Sequence, residues 1–550
     1  MIGGDAILIF SLSLAVVTFV NPLDISYRQR VMHGKTFREA ADPEIIMHVG
    51  RHWLFASMCG RYFVSDDLVT WKGIESKDLP FEEYAPTVEE IDGALHFTAR
   101  GGTVHRADEL LSGIWEKKSQ KIQHPVDSAL FKDDDGRLYL YWGGSASKHP
   151  LFAAELDPQT FDTKGRVVRT LEEDSVRYGW EVRGHRNEMT NEVSYIEGSH
   201  MVKRNGTYYL QYASPGTQFD TYSDSVMTGL SPVGPFVRQM LNPFSLKTAG
   251  YVTSSGHGKT FRDKIGNWWH VATGLIGNES FAERRLVMFP VFFDDDGEMW
   301  CDTAFSDWPI VVPDCRTEDP NDYHSGWMPL SYGKRVTASS SISGHDPSLA
   351  VDGTIRTFWS ANGGKGSWVE VDLGDEAEVQ SVQIGFADSG FPVRSGIGAM
   401  CRYRIEMRMS DGAWRKVVET TETCEREHPY HQFDRPIRTD RLRVVCVEMS
   451  EGLNFALREV RAFGRMNKMR PSNPEELSVV RDAQDRRRAT ISWKAVEGAE
   501  GYLLRYGPTL EKAHLSRLVI GAVSVEIRSL DAKVDYRWTV SSFNEAGFSN

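Results

Sequence analysis

Three acidic residues and one histidine occupy matching positions in a pattern that repeats along the chain. Asp127, Glu197 and His257 each precede a turn glycine by nine residues, and Asp42 precedes one by eight. Carboxyl groups gathered in one cavity can share catalysis, because burial and neighbouring charge keep one protonated as an acid while another stays ionised as a base. We therefore predict that these four side chains converge, although they lie far apart in the sequence.

The elements that must position this set are recurring hairpins. Each hairpin consists of a strand-like run, a turn glycine and an aromatic run, and the glycines are Gly50, Gly93, Gly136, Gly206 and Gly266. Asn205-Gly206 is the clearest turn, since Asn-Gly takes the positive φ values that two-residue hairpins need. Five such small sheets predict an all-β, five-bladed β-propeller over residues 25–315. With the strand before each glycine innermost, the four side chains face one central cavity.

The composition bounds the partners and cofactors of the protein. A chain of 550 residues with a net charge of −13 holds several domains and is a poor electrostatic match for nucleic acid or anionic lipid. Neutral carbohydrates suit it, and its 15 Trp and 19 Tyr include rings that could stack on sugars. The six cysteines lack paired metal-ligand spacing, which argues against a zinc site. We expect a monomer whose catalysis needs no cofactor.

The N-terminal segment has the form of a targeting sequence. Residues 5–20 are apolar over the length of a signal-peptide core, which is short for a membrane span. No Lys or Arg precedes the run and no Ala-x-Ala cleavage site follows it, so a misassigned start or a disordered leader is the alternative. We predict a signal peptide or leader over residues 1–24, a secreted or periplasmic protein, and no other segment able to cross a membrane.

Two further β-domains follow the first. Over residues 330–464, the runs Trp368–Gly374 and Val379–Ile384 alternate with the period of half-buried strands. Over residues 471–550, an early Trp493 and a late Tyr536 predict a small β-sandwich with a tyrosine corner. One more strand is expected where the sequence stops, so this domain is predicted to be truncated.

Four separated motifs of the first domain resemble glycoside hydrolase family 43. They are Ala41-Asp42-Pro43, Val126-Asp127-Ser128, Glu197-Gly198-Ser199 and Gly256-His257-Gly258-Lys259. The resemblance implies a five-bladed propeller that hydrolyses glycosidic bonds with inversion. It assigns Asp42 as the general base, Glu197 as the general acid, and Asp127 as the residue that tunes the acid and positions the substrate. His257 would support a water or a bound ion in the central cavity.

Two further positions of the first domain follow from the same resemblance. Arg284-Arg285 matches the region where the family often places an arginine near the pocket; spacing does not distinguish the two, and we select Arg285. Tyr84-Ala85-Pro86 stands where many members have Trp-Ala-Pro, which makes Tyr84 a candidate sugar-stacking ring. Glu197-Gly198-Ser199 also departs from the commoner Glu-Gly-Pro while keeping the acid.

The later domains resemble modules that accompany glycosidases. Residues 330–464 are similar to discoidin-like (F5/8 type C) modules with a galactose-binding jelly-roll sandwich. That similarity implies a structural calcium at Asp352, Thr357 and Glu459, although Gly353-Thr354 replaces the usual second acidic residue. Residues 471–550 resemble fibronectin type III, a spacer or adhesion module.

These expectations combine into one leading hypothesis and its alternatives. The leading hypothesis is an inverting exo-glycosidase that acts on plant polysaccharide or oligosaccharide side chains, with α-L-arabinofuranosidase activity. A β-xylosidase or an exo-β-galactosidase is the nearest alternative. A non-catalytic carbohydrate-binding or adhesion protein is the alternative from another class, and retention of all three acids argues against it.

Overall fold

The computed structural model describes residues 16–32, 34–144, 149–390, 401–422 and 426–549. Strands dominate these residues, and the helical segments among them are short 3-10 turns at Leu110–Ser112, Gly179–Glu181, Pro320–Tyr323 and Pro347–Ala350. Across the same ranges, the search for a helix of sufficient length and hydrophobicity to span a bilayer found none.

The chain enters the first domain earlier than predicted. Strand β1 (Thr18–Phe19) pairs antiparallel with Ile310–Val311, and β2 (Arg28–Met32) forms a hairpin with β3 (Lys35–Glu39). Phe19 and Leu23 are buried in the same core as Trp269. Residues 18–23 therefore belong to the folded domain and not to the leader predicted over residues 1–24. The rest of that prediction, residues 1–15, lies outside the described residues.

Five four-stranded antiparallel units make up most of the first domain. Their strands are β4 (Ala41–His48), β5 (Arg51–Ser57), β6 (Tyr62–Ser65) and β7 (Lys72–Ile74); β8 (Thr87–Ile91), β9 (Ala94–Thr98), β10 (Thr103–Ala107) and β11 (Glu116–Lys121); β12 (Ala129–Lys132), β13 (Leu138–Gly143), β14 (Leu151–Leu156) and β15 (Thr163–Leu171); β16 (Glu197–Arg204), β17 (Thr207–Ser214), β18 (Ser223–Gly229) and β19 (Val237–Arg238); and β20 (Thr253–Arg262), β21 (Trp268–Leu275), β22 (Arg284–Phe293) and β23 (Met299–Cys301). A single parallel bridge between Ser223 and Ser255 joins the last two units into one eight-stranded sheet. The partner of β1 is β24 (Ile310–Val311).

The first strands of these units lie against one another in a closed ring. Strand β4 contacts β8, β8 contacts β12, β12 contacts β16, β16 contacts β20, and β20 contacts β4 again. Each first strand is followed by one of the turn glycines predicted above, and Asn205 and Gly206 have φ values of 51° and 83°. The ring brings segments that are distant in sequence around one centre.

The second domain is built on one eight-stranded antiparallel sheet folded into a sandwich-like shape. Its strands are β25 (Met328–Pro329), β26 (Arg335–Ala338), β27 (Trp359–Ser360), β28 (Trp368–Phe386), β29 (Cys401–Arg408), β30 (Trp414–Glu419), β31 (Tyr430–Met449) and β32 (Ala456–Met466). The two alternating runs of the sequence form the single long strand β28. Its apolar side chains pack with Trp359 and Phe455 in the core of the domain.

The third domain consists of two small antiparallel sheets. Strands β33 (Ser478–Arg481), β34 (Ala489–Ser492) and β37 (Ser524–Ile527) form one, and β35 (Gly501–Gly507), β36 (Leu515–Ile520), β38 (Arg537–Asn544) and β39 (Gly547–Phe548) form the other. Trp493 and Tyr536 are buried between the two sheets. The backbone N–H of Asp531 donates to the Tyr536 hydroxyl over 3.1 Å, which is the contact of a tyrosine corner.

Candidate active site

A positive φ recurs at or near the start of the first strand in all five units. The residues and their φ values are Asp42 (47°), Ala85 (50°), Asp127 (44°), Gly198 (62°) and His257 (49°). Residues other than glycine seldom adopt this conformation, and Asp tolerates it better than most. Strand register shifts at three of these places, next to Asp42, Gly198 and His257. The backbone thus turns at one matching point per unit, and three of the four predicted residues occupy such a point.

Asp42 is held by four side chains, Ser57 of its own unit and Thr273, Arg284 and His257 of the fifth unit. Its backbone N–H donates to Thr273 Oγ1 over 2.8 Å, and the Ser57 hydroxyl donates to its Oδ2 over 2.7 Å. Its Oδ1 lies 3.5 Å from Arg284 Nη1 and 3.4 Å from His257 Nδ1. Only 5% of the residue is exposed. The carboxylate is therefore fixed in orientation while keeping a small accessible surface.

These neighbours keep the Asp42 carboxyl ionised. Burial alone would raise the pKa of Asp42, but the Arg284 guanidinium and the His257 ring act in the opposite direction. The hydrogen bond from Ser57 also favours the charged form, and the net pKa lies below its ordinary value. A carboxylate in this state can accept a proton at neutral pH.

The pKa of Glu197, in contrast to that of Asp42, is raised. The Tyr222 hydroxyl donates to its Oε1 over 2.6 Å, and 8% of the residue is exposed. Burial is the main cause that raises the pKa of Glu197 to about 7, and the negative charge of Asp127 is the second. At neutral pH a large fraction of Glu197 therefore carries a proton that it can donate.

Asp127 lies beside Glu197 from the third unit. It is 9% exposed and sits two residues before β12, with the strained backbone described above. Its carboxylate acts on Glu197 through space, as the shift in that acid's pKa reflects. The three predicted acids thus come together around one centre from three units.

His257 is anchored by a residue that the sequence analysis missed. The buried carboxylate of Asp224 accepts the backbone N–H groups of His257 and Gly258 over 2.8 and 2.7 Å. These two bonds stabilise the positive-φ turn and direct the His257 ring toward Asp42. No signal at residue 224 could have revealed this role, because Asp224 belongs to the third strand of the fourth unit and not to the repeated position.

The selection of Arg285 as the pocket arginine is wrong. Arg285 is fully buried and forms a two-pronged ion pair with Glu427 of the second domain, over 2.6 and 2.8 Å. Arg284 instead faces Asp42, and it also binds Glu39 and Thr217. The physical reason is strand geometry, since successive side chains of β22 point to opposite faces.

Tyr84 lies at the edge of this group and is partly exposed. The Arg284 guanidinium is 5.5 Å from the centre of the Tyr84 ring, a cation–π distance, and Arg30 Nη1 is 3.4 Å from the hydroxyl. The ring is therefore next to the guanidinium that touches Asp42. The role of Tyr84 as a sugar-stacking ring stays a prediction.

The predicted calcium ligands also lie together. The Thr357 hydroxyl donates to Asp352 Oδ2 over 2.7 Å, and the Gly353 N–H donates to Glu459 Oε1 over 3.1 Å. Burial and the nearby Asp352 raise the pKa of Glu459 well above its ordinary value. Two close carboxylates and a hydroxyl are hard oxygen donors that suit Ca²⁺. A group of three or more His, Cys, Asp or Glu side chains arranged for a metal was not found in the part of the chain that the structure describes.

Comparison with known proteins divides the chain in the same way as the structure. Residues 35–299 match the family described as glycosyl hydrolases family 43, and residues 335–460 match the F5/8 type C domain. The first match contains every candidate residue of the carboxylate site, and the second contains Asp352, Thr357 and Glu459.

Three similar proteins illustrate the range of these matches. The beta-D-galactofuranosidase xynD of Aspergillus niger is 25% identical over 340 residues, which is 52% of this chain and 93% of that protein. A xylan 1,3-beta-xylosidase of a Vibrio species is 24% identical over 347 residues, which is 57% of this chain and 59% of the relative. A solved structure titled "Glycoside hydrolase" has a TM-score of 0.46 and 18% identity, over 77% of this chain and 97% of its own.

Proposed function

We propose that Asp42 and Glu197 perform an inverting hydrolysis. The premise is that residues 35–299 belong to glycosyl hydrolases family 43 and that the protein is a glycoside hydrolase acting on O-glycosyl bonds. The proposal rests on the opposite pKa shifts of two buried carboxyl groups. The pKa of Asp42 is lowered below its ordinary value, while the pKa of Glu197 is raised to about 7. Inverting glycosidases need one carboxylate base and one carboxylic acid.

In the proposed mechanism, Asp42 removes a proton from a water that attacks the anomeric carbon. Glu197 donates its proton to the departing glycosidic oxygen, and the configuration at the anomeric carbon inverts. Asp127 keeps Glu197 protonated before the reaction, because a second negative charge beside Asp127 is unfavourable. Arg284 and His257 keep Asp42 ionised and oriented.

The proposed architecture is a five-bladed propeller followed by two β-sandwich modules. The closed ring of first strands supports five blades, one for each four-stranded unit. The three-plus-four arrangement of strands and the Tyr536 contact support a fibronectin type III-like module over residues 471–550. Export and a monomeric state stay predictions, as does a structural calcium at Asp352 and Glu459.

The substrate we propose is a terminal α-L-arabinofuranoside on a plant polysaccharide or oligosaccharide. The similarity to a beta-D-galactofuranosidase supports a furanose ring, because α-L-arabinofuranose and β-D-galactofuranose share the same ring configuration. A β-D-xyloside is the second candidate, and the similarity to a xylan 1,3-beta-xylosidase favours it equally.

A panel of aryl glycosides tests the substrate and the roles together. We expect release of the aryl group from α-L-arabinofuranoside, with β-D-xyloside, β-D-galactofuranoside and β-D-galactopyranoside as the competing substrates. The variants Asp42→Asn and Glu197→Gln should lose at least about 100-fold in kcat. Asp66→Asn, which changes an exposed carboxylate paired with Arg51, is the matched control.

Two results would count against the proposal. The first is substantial turnover by folded Asp42→Asn or Glu197→Gln protein. The second is retention of configuration, seen by NMR of the first-formed sugar anomer.

A further inference from the structure

Two neighbouring strands of the first domain each carry one residue toward the carboxylates and the next residue toward the second domain. Strand β22 begins with Arg284-Arg285, and strand β3 ends with Arg38-Glu39. Arg284 and Glu39 bind each other beside Asp42, whereas Arg285 and Arg38 point away. Adjacent side chains on a strand face opposite sides of the sheet. Fixing the position of one therefore also constrains the position of the other, because the two share a backbone.

Two carboxylates of the second domain bind Arg285 and Arg38, the arginines that point away from the active site, through paired hydrogen bonds. Glu427 accepts from Arg285 Nε and Nη2 over 2.6 and 2.8 Å, and Asp388 accepts from Arg38 Nε and Nη2 over 2.9 and 2.8 Å. Planar, two-pronged contacts of this kind fix an arginine in direction as well as in distance. Glu427 and Arg285 are almost completely buried, so solvent does not weaken their attraction.

The two strands are also tied to each other at this point. Arg285 Nη1 donates to the Arg38 carbonyl over 2.6 Å, and the Ala40 N–H donates to the Arg284 carbonyl over 3.3 Å. On the side of the active site, Arg284 Nε lies 3.2 Å from Glu39 Oε1, and Arg30 also pairs with Glu39. A continuous series of buried contacts thus runs from Glu427 and Asp388 to the guanidinium that touches Asp42.

We propose that Glu427 and Asp388 are positioning residues for the hydrolysis, so that the F5/8 type C domain completes the catalytic domain instead of acting only as a separate binding module. They act through Arg285 and Arg38, which hold Arg284 and Glu39, and thereby Asp42. This inference rests on the proposed role of Asp42 as the base. A displacement of reacting groups by about 1 Å can lower a rate about 100-fold.

The expected signature is a loss of kcat with an altered pH profile. Burial raises the pKa of Asp42 and Arg284 opposes that effect, so a loosened Arg284 lets the pKa rise. The acidic limb of the kcat/KM profile then moves to higher pH. Four further titratable or charged groups act on Asp42 and are not substituted in these variants: His257, Glu197, Tyr222 and Lys259.

The experiment compares full-length variants of the second domain. Asp388→Asn and Glu427→Gln each remove one charge from the contact, and Glu448→Gln removes a charge from the exposed Arg402–Glu448 pair of the same domain. We expect the first two to lose about 10-fold or more in kcat with little change in KM, and to shift the acidic limb upward. The control should keep the wild-type profile, and Asp388→Glu should recover part of the loss.

The inference is overturned if folded Asp388→Asn and Glu427→Gln keep the kcat and the pH profile of the control, even when their thermal stability falls. Should Glu427→Gln not fold, Asp388→Asn decides, because it lies at the less buried end of the contact. Loss of activity in Asp42→Asn together with wild-type behaviour of both second-domain variants would refute this inference alone. Full activity in Asp42→Asn would refute the proposed function itself.

Discussion

Gly198 lies directly against the imidazole of His257. A Cβ added to Gly198 would approach the His257 ring carbon Cγ to 2.7 Å, and the φ of Gly198 is 62°. Because Gly198 follows Glu197 in the chain, the absent side chain allows the proposed acid and the histidine that contacts Asp42 to share one small space.

Replacing this glycine should damage the site from both sides. We expect Gly198→Ala to lower kcat at least about 10-fold, since either His257 or Glu197 must move. Strain at the positive φ should also cost about 1–3 kcal/mol of unfolding free energy. Gly136→Ala is the matched control, because its φ is 83° and an added Cβ there meets nothing within 4 Å. Equal loss of activity in both variants would show that backbone strain, and not the contact with His257, is responsible.

The alkaline limb of activity should report the protonation of Glu197. The pKa of Glu197 is raised to about 7, so kcat/KM should fall as the pH rises through that value. Removing the negative charge in Asp127→Asn lowers this pKa, and we expect the limb to move to lower pH. A pH–rate profile that leaves the limb unmoved in Asp127→Asn would contradict the coupling of the two acids.

The Tyr222 hydroxyl should shift the pKa of Glu197 in the direction opposite to that of Asp127. Its hydrogen bond stabilises the ionised form of Glu197, so Tyr222→Phe raises the pKa of the acid and moves the alkaline limb to higher pH. The measurement is the same profile as for Asp127→Asn, which makes the two variants controls for each other. Shifts in the same direction would rule out this assignment of their effects.

Adjacent arginines of β22 should give different phenotypes. Arg284→Gln is expected to lose about 10- to 100-fold in kcat and to shift the acidic limb upward, because Arg284 lowers the pKa of Asp42. Arg285→Gln leaves Glu427 buried without its main partner, which should cost about 3–5 kcal/mol in urea unfolding. Through the second-domain contact, Arg285→Gln should also reduce kcat. A fully stable Arg285→Gln protein would contradict the importance of this buried pair.

Calcium should stabilise the second domain if Asp352 and Glu459 bind it. At a concentration about 100 times its Kd, Ca²⁺ is expected to add about 2.7 kcal/mol to the free energy of unfolding and to raise the Tm. EDTA should reverse the effect, and Glu459→Gln should abolish it. Glu378→Gln, which changes an exposed carboxylate of the same domain, should respond to Ca²⁺ like the wild type. If Ca²⁺ leaves the Tm of the wild type unchanged, the proposed calcium site is refuted.

The repeated pattern predicted the convergence of Asp42, Asp127, Glu197 and His257 because a turn glycine sets the phase of the strand before it. It could not identify Arg284 over Arg285, since both spacings are compatible with the family motif. That choice depends on which face of β22 meets the second domain, and Glu427 is distant in sequence.

Other contributors carried no local signal at all. Tyr222 and Asp224 lie around the start of β18, outside the repeated positions, and reach Glu197 and His257 only in the folded chain. The positive φ values were equally hidden, because Asp and His adopt them only where the surrounding contacts compensate the strain.

The pairing of β1 with β24 has a consequence for the maturation of the protein. The Thr18 hydroxyl is 2.7 Å from that of Tyr430, and Asn21 accepts through its carbonyl from Arg461, so this segment is also a seam between the first two domains. A peptidase that removed residues up to 24 would remove β1, and with it the pairing with β24 and these contacts to the second domain. We therefore expect any processing of the N-terminal segment to leave Thr18 and the residues after it in place.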